Sequence, residues 1–175
     1  MKIAFTRASG RGETNLLLAT LAETLAARGL RLAGSVQIDT ERADHHLCDM
    51  DVRVLPDGPV IRISQTLGRE ARGCRLDPDA LEQAVALTET ALERGADLLL
   101  INKFGKHEAD GRGFRNAMGM AADLGIPVLV GASGLNNPAL VSFCGDALTE
   151  IAPDHDALLS WVLDATTSAG SGLNA

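Results

Sequence analysis

The chain has 175 residues and an aliphatic composition with one Trp, four Phe and no Tyr, and its formal net charge is −7. This length allows one domain with a sizeable core. The acidic balance argues against a nucleic-acid partner, which would need clustered Lys and Arg. No apolar run approaches the roughly 20 residues of a membrane span, so we expect no membrane partner.

The cysteine content and the amino terminus bear on the compartment of the protein. Cys48, Cys74 and Cys144 form an odd, sparse set, which is typical of reduced thiols in a cytoplasmic protein. The amino terminus leads directly into an apolar strand, so we expect no secretory signal. Both observations predict a cytoplasmic protein.

Strand-like and helix-like patterns alternate along the chain. An apolar run at 96–102 has the continuous character of a central parallel strand buried on both faces, whereas residues 48–66 read as a hairpin with alternating polarity. The other predicted elements are strands at 3–5, 31–37, 126–131 and 147–151, and helices from Thr14, at 79–94, at 112–124 and from Asp154 to Ala165.

This alternation predicts an α/β fold: a mainly parallel sheet of about five strands with helices on both faces. We expect the hairpin at 48–66 to form an antiparallel appendage or an extension of the sheet. Residues 1–165 are predicted to form a single domain. The small, polar residues 166–175 are predicted to be a disordered tail.

The first loop has the context of a phosphate-binding P-loop, because it follows a strand and leads into a helix. The pattern G-x-x-x-x-G-K-[ST] falls here on R-A-S-G-R-G-E-T. Gly12 and Thr14 match this pattern, whereas Arg7 replaces the first glycine and Glu13 stands where the lysine is expected. The loop therefore has the form of a nucleotide site without its main positive charge.

Ligands of parallel α/β sheets bind at the carboxyl ends of the strands, so the loops 7–13, 103–108 and 132–137 should converge. Four arginines and two lysines around one rim of an acidic protein favour a small anionic ligand. The candidate ligand-binding residues are Arg7, Gly10, Arg11, Gly12, Glu13, Thr14, Asn102, Lys103, Gly105, Lys106, Glu108, Arg112 and Arg115.

Several of these residues have two interpretations. Thr14 would either ligate magnesium or cap backbone donors at the helix start. Glu108 would either position a water or an ion, or lie in the first turn of a helix, where the dipole favours a carboxylate. Arg112 and Arg115, three residues apart, would either bind an oxyanion together or form a solvated helix face.

The chain resembles the DUF2478 family of the P-loop NTPase superfamily and is distantly similar to THEP1-type nucleoside triphosphatases. The resemblance covers about residues 21–129 and is carried by LAARGLRLAGSVQ, CDMDVRVLPDG…IRISQTLG, GCRLD and INKFGKHEADGRGFR. It implies a nucleotide-binding-like fold with ATP or GTP and Mg²⁺ as cofactors, and it points to oxyanion or metal metabolism connected with molybdenum. Against THEP1-type enzymes, Glu13 replaces the phosphate lysine and Asn102-Lys103 replaces an acidic pair, so we expect weak or absent NTP hydrolysis.

These two replacements suggest an exchange of charges between the loop and the strand end. An ion pair between Glu13 and Lys103 would preserve local neutrality, and Lys103 or Lys106 would then substitute for the P-loop lysine. The alternative is that both lysines are ordinary exposed loop residues and that the protein is a non-catalytic scaffold. A homodimer is a further open expectation.

A second cluster suggests a metal or molybdate site. His45, His46 and Cys48 lie within four residues, and Cys74 follows the hairpin, so a folded-back loop would assemble a zinc-type or soft-metal site. Free cysteines are also common as small buried hydrophobic residues, and that interpretation suits Cys144.

Overall fold

The computed structural model describes residues 2–40, 49–65 and 75–170, which form one seven-stranded sheet flanked by helices. The elements are β1 (Ile3–Thr6), α1 (Glu13–Ala27), β2 (Leu32–Thr40), β3 (Asp49–Leu55), β4 (Val60–Arg62), α2 (Pro78–Glu93), β5 (Leu98–Phe104), α3 (Lys106–Ala109), α4 (Arg115–Asp123), β6 (Val128–Ala132), α5 (Asn137–Cys144), β7 (Leu148–Glu150) and α6 (His155–Gly170).

The strand order is β4-β3-β2-β5-β6-β1-β7. The strands β2, β5, β6, β1 and β7 are parallel, while β3 and β4 add an antiparallel hairpin beside β2. The predicted α/β fold is confirmed, with β5 inside the sheet as the apolar run indicated. Of the two arrangements considered for the hairpin, the structure shows the extension of the sheet.

Helices cover both faces of the sheet, and each face has its own core. Leu98 and Leu100 of β5 face the helices α1 and α6, where Leu18, Leu21 and Leu158 are fully buried. Alternate residues of β5 face the opposite side, which α2 and α4 cover with residues such as Leu81, Ala84 and Met118. Period-two alternation along β5 thus supplies apolar side chains to both layers.

A β-bulge interrupts β5 where the strand reaches the edge of the sheet. Ile101 pairs with Val130 and Phe104 pairs with Ala132, so two residues of β5 oppose the single residue Gly131 of β6. Asn102 is buried, whereas Lys103 is exposed. A Cβ atom at Gly131 would collide with the carbonyl oxygen of Asn102, so glycine permits this close approach.

The carboxyl-terminal helix differs from the sequence prediction. It was expected to end at Ala165, but α6 continues to Gly170, so residues 166–170 are helical. Thr166 Oγ1 donates to the carbonyl oxygen of Val162 at 2.9 Å, and Lys2 Nζ donates to Ser168 Oγ at 2.9 Å. The first bond satisfies the Thr166 hydroxyl within the helix, and the second joins the last turns of α6 to Lys2.

The predicted helix at 112–124 is shorter at its start, because α4 begins at Arg115 and the separate turn α3 precedes it. Among residues 2–40, 49–65 and 75–170, no helix combines the length and apolar character needed to span a membrane.

Candidate functional site

A cleft of about 810 Å³, here called the loop cleft, opens at the carboxyl ends of β1, β5 and β6. The sequence predicts that loops converge there, and the structure brings together segments 7–15, 102–103 and 131–134. The described residues that line it are Arg7, Ala8, Ser9, Gly10, Arg11, Gly12, Thr14, Asn15, Gln37, Met50, Arg75, Asn102, Lys103, Gly131, Ala132, Ser133 and Gly134.

The glycine loop is held by its own side chains. Gly12 adopts a left-handed φ of 78° as it enters α1, a conformation that favours glycine. The Ala8 N–H donates to Thr14 Oγ1 at 3.0 Å. Thr14 therefore accepts a backbone donor of the loop, as the capping interpretation suggested, although it does so across the loop rather than at the first turn of α1.

Glu13 also bonds to the loop. The Gly10 N–H donates to Glu13 Oε2 at 2.8 Å. The expected Glu13–Lys103 ion pair is not formed within 4.0 Å in the described part of the chain. The carboxylate instead occupies one of the backbone donors that a P-loop offers to an anion.

Asn102 lies at the carboxyl end of β5 and lines the loop cleft. Its Nδ2 donates to Asn15 Oδ1 of α1 at 2.9 Å, while its Oδ1 is buried without a hydrogen-bond partner among the described residues. Asn102 is 4% exposed. A neutral amide pair thus forms this wall of the loop cleft.

The cationic side chains of the rim differ in how they are paired. Arg7 approaches Glu150 at 3.9 Å, and Arg112 approaches Asp110 at the same distance. Arg11, Lys103 and Lys106 are exposed and form no ion pair with another described residue. These three cations remain available to a bound anion.

A second cleft of about 680 Å³, here called the apolar cleft, lies next to the loop cleft. It shares six lining residues with it: Arg11, Gln37, Met50, Arg75, Asn102 and Lys103. Its remaining described residues are Ser35, Val52, Ile63, Leu76, Pro78, Leu81, Gly105, Lys106, His107, Glu108, Asp110, Arg112, Phe114 and Asn136.

Glu108 holds the turn at one side of the apolar cleft. Its carboxylate accepts hydrogen bonds from the N–H groups of Gly105 at 2.8 Å and Phe114 at 3.2 Å. Burial raises the pKa of Glu108, while these two bonds and His107 act in the opposite direction. Glu108 lies in the first turn of α3, and its oxygens are engaged by backbone rather than by an open site.

Two predicted residues lie away from both clefts. Arg115 packs over the Phe143 ring at 4.3 Å and donates to the Glu108 carbonyl oxygen at 3.4 Å, so it does not join Arg112 at the rim. Cys144 is half-buried beside the core, and burial raises the pKa of its thiol to about 11. A thiol with so high a pKa is a weak nucleophile at neutral pH.

The sequence analysis missed Asn15, Gln37, Met50 and Arg75 as lining residues. A signal for Asn15 was present, because it occupies the helix face of Leu18 and Ala22, which are both buried. A polar residue on a buried helix face is expected to find a polar partner. No comparable signal marked Gln37 or Met50, whose placement depends on how β2 and β3 pair.

The predicted metal cluster of His45, His46, Cys48 and Cys74 lies outside the described residues. Within the described ranges, no group of three or more His, Cys, Asp or Glu side chains is arranged to hold a metal ion.

Comparison with known proteins agrees with the fold. A profile described as "Protein of unknown function (DUF2478)" matches residues 3–161. The "Molybdenum import ATP-binding protein ModC 2" of Bradyrhizobium diazoefficiens is 33% identical over 155 residues, covering 89% of this chain but 17% of that relative. The crystal structure of THEP1 from the hyperthermophile Aquifex aeolicus matches with a TM-score of 0.63 and 18% identity, covering 94% of this chain and 98% of the other, so the likeness concerns the fold. The chain belongs to the DUF2478 family, and its fold is similar to that of THEP1 from Aquifex aeolicus.

Proposed function

We propose that this protein binds a nucleotide through its phosphate groups in the loop cleft, and that it hydrolyses the nucleotide slowly or not at all. One observation carries the proposal. Four described cations line the loop cleft: Arg7 and Arg75 lie 3.9 Å from Glu150 and 3.8 Å from Asp49, whereas Arg11 and Lys103 form no ion pair with a described residue, in a chain whose net charge is −7. Such a local excess of cations is suited to an anionic ligand.

The geometry of the loop supports binding of the nucleotide through its phosphate groups. The loop joins a strand to the amino terminus of α1, where backbone donors and the helix dipole favour anions. A volume of about 810 Å³ lies in the usual range of small-molecule sites. The relative from Bradyrhizobium diazoefficiens is named an ATP-binding protein, and we infer ATP or GTP, with or without Mg²⁺, as the ligand here.

Slow hydrolysis follows from the two fixed charges that the site lacks. Phosphoryl transfer depends on positioning and on charge stabilisation. Glu13 replaces the lysine, and the amide of Asn102 stands at the strand end where an acid would hold magnesium. The loss of one preorganised group costs about 2.7–4 kcal/mol, roughly a hundredfold to a thousandfold in rate. Lys103 is the side chain that would offset part of this loss.

Calorimetric titration tests the binding proposal. ATP, GTP, inorganic triphosphate and molybdate would each be titrated with and without Mg²⁺ into the wild type, Lys103→Ala and Arg28→Ala. Arg28 is an exposed cation at the far end of α1 and serves as the matched control. We expect binding of ATP or GTP that weakens by about tenfold in Lys103→Ala and is unchanged in Arg28→Ala. Binding of molybdate alone, or of nothing, would contradict the proposal.

Phosphate release under saturating ATP and Mg²⁺ tests the second half of the proposal. We expect turnover well below 1 s⁻¹, the lower end of the usual range for enzymes, and faster release in Glu13→Lys. Wild-type turnover of the order of 1 s⁻¹ or above would show that the site is a working hydrolase. Loss of such turnover in Lys103→Ala would then identify Lys103 as the replacement lysine.

A further inference from the structure

The apolar cleft has a composition that a phosphate site does not need. Seven of its described lining residues are apolar, among them Val52, Ile63, Leu76 and Phe114. The strands β2 and β3, with Ile63 just after β4, supply part of the lining, and the start of α2 and the turn around α3 supply most of the rest. Apolar side chains around a cleft of about 680 Å³ are typical of sites that hold an organic group.

The rim of this cleft carries an excess of positive charge. Five described lining residues are Arg or Lys, of which Arg75 pairs with Asp49 at 3.8 Å, and two, Glu108 and Asp110, are acidic. The carboxylate of Glu108 is buried and bonded to backbone, and Asp110 lies 3.9 Å from Arg112. Lys103 and Lys106 form no ion pair with a described residue. An apolar floor below unpaired cations is complementary to an anion with an apolar body.

The available volume indicates a ligand in addition to the nucleotide. The loop cleft, at about 810 Å³, is by itself large enough for a small-molecule ligand. The two clefts meet at Asn102 and Lys103, and in P-loop enzymes the acid at this strand end holds the metal that bridges the last two phosphates. A ligand in the apolar cleft would therefore lie beside the terminal phosphate.

We propose that the apolar cleft binds a second ligand, a small organic anion with an apolar body, next to the phosphate end of the loop cleft. Its apolar body lies against Leu76 and Ile63, and its anionic group lies near Lys103 and Lys106. The proposal does not require that a nucleotide occupy the loop cleft, so the two can be tested separately.

The fluorescent anion 8-anilinonaphthalene-1-sulfonate is the probe, because it has an aromatic body and one sulfonate. Leu76 lines the apolar cleft and not the loop cleft, so the larger side chain of Leu76→Trp would fill the floor of the apolar cleft only. We expect the probe to bind with a stoichiometry of one and to bind at least about tenfold more weakly to Leu76→Trp. Leu87→Trp, at a position on α2 that is 41% exposed, is the control and should bind normally.

A charge reversal on the exposed rim keeps the test independent of core packing. Lys106 lines only the apolar cleft and is exposed. We expect Lys106→Glu to weaken probe binding by about fivefold, as befits a partly screened charge, while Arg28→Glu leaves it unchanged. Equal probe binding to wild type, Leu76→Trp and Lys106→Glu would overturn the proposal.

Titration of the probe at rising ATP concentrations separates the two sites. If both ligands bind together, the apparent Kd of the probe rises by a limited factor and then levels off. A Kd that rises without limit would place the probe in the loop cleft and overturn the proposal. If neither ATP nor GTP binds, the nucleotide proposal fails, while the response of the variants to the probe still decides the present one.

Discussion

Two turns of this protein share the spacing G-x-x-E and the same hydrogen bond. In both, the glutamate three residues after a glycine accepts from that glycine's N–H at 2.8 Å, Glu13 from Gly10 and Glu108 from Gly105. Glu13 is exposed and makes this one backbone contact, whereas Glu108 is 3% exposed and also accepts from Phe114. The same local motif is thus open to solvent in one turn and enclosed in the other.

This difference shows that packing, and not the motif, decides whether an anion site can exchange its occupant. Because Glu13 is exposed, water or a small anion can take the place of its carboxylate on the Gly10 N–H. No enclosed donor is then left without a partner. Removal of the Glu108 carboxylate would leave enclosed donors without partners, which is costly. We therefore regard Glu13 as a replaceable anion and Glu108 as a fixed one.

The largest expected effect comes from deleting each carboxylate in turn. We expect Glu108→Ala to lower the free energy of unfolding by about 3 kcal/mol, since it leaves the donors of Gly105 and Phe114 unsatisfied. Glu13→Ala should change it by less than about 0.5 kcal/mol, as is usual for exposed positions. Urea denaturation measures both. Similar losses in the two variants would remove the distinction between the turns.

Alanine at the neighbouring glycines tests the same comparison from the backbone. A Cβ at Gly113 would collide with Oε1 of the enclosed Glu108, and Gly113 has a left-handed φ of 60°. A Cβ at Gly10 would collide only with the exposed Glu13 side chain, which can move away. We expect Gly113→Ala to cost about 2 kcal/mol and Gly10→Ala less than about 1 kcal/mol. Thermal unfolding of both variants checks this order.

Nucleotide affinity should respond to Glu13 and not to other exposed acids. Glu13→Gln removes the negative charge that competes for the Gly10 N–H, so we expect ATP to bind about tenfold more tightly, a gain of about 1.4 kcal/mol. Glu93 is an exposed acid at the end of α2, so Glu93→Gln is the control and should leave the affinity for ATP unchanged. Calorimetry at fixed ionic strength measures the change. Weaker binding to Glu13→Gln would mean that the carboxylate is part of the ligand site, and unchanged binding would mean that it does not compete with ATP.

The pH dependence of stability gives the smallest effect and a defined sign. Burial raises the pKa of Glu108 in the folded state. As the pH rises above the ordinary glutamate value of about 4.3, the unfolded chain loses its proton first, so the contribution of Glu108 to stability falls. We expect the stability difference between wild type and Glu108→Gln to be smaller at pH 7 than at pH 5, as measured by urea denaturation.

Asp97 provides a control of opposite sign at the other end of the sheet. Hydrogen bonds from Arg31 lower the pKa of Asp97. Its contribution is therefore complete above the ordinary aspartate value of about 3.9 and is lost as the pH falls through the lowered pKa. The difference between wild type and Asp97→Asn should be constant from pH 5 to 7 and shrink near pH 3.

The parts of the molecule that depend on local patterns were predictable from the sequence. The apolar run before Asn102 predicted an interior strand, and the alternation of strands and helices predicted the parallel sheet, because each pattern reflects the burial of its own element. The carboxyl ends of parallel strands share one edge, so the convergence of the loops followed from topology.

Features that depend on competition between partners were not predictable. Charge exchange suggested that Glu13 would pair with Lys103, but the carboxylate bonds to Gly10, which is three residues away and needs no loop closure. The bulge at Asn102 and Lys103 was not predictable either, because it depends on how β5 and β6 register. The continuation of α6 to Gly170, where Lys2 from the other end of the chain bonds to Ser168, was not predictable from the local pattern.

The bulge in β5 has a thermodynamic consequence for the two clefts. It exposes Lys103 on the wall that they share, so a single ammonium group faces the contents of both. Two anions bound at once must divide its attraction and also repel each other, which makes them antagonists without any movement of the chain. By reciprocity, each lowers the affinity for the other by the same factor. The occupancy of one cleft would thus depend on the concentration of the anion that binds in the other, through Lys103 together with Arg11 and Arg75, which also line both clefts.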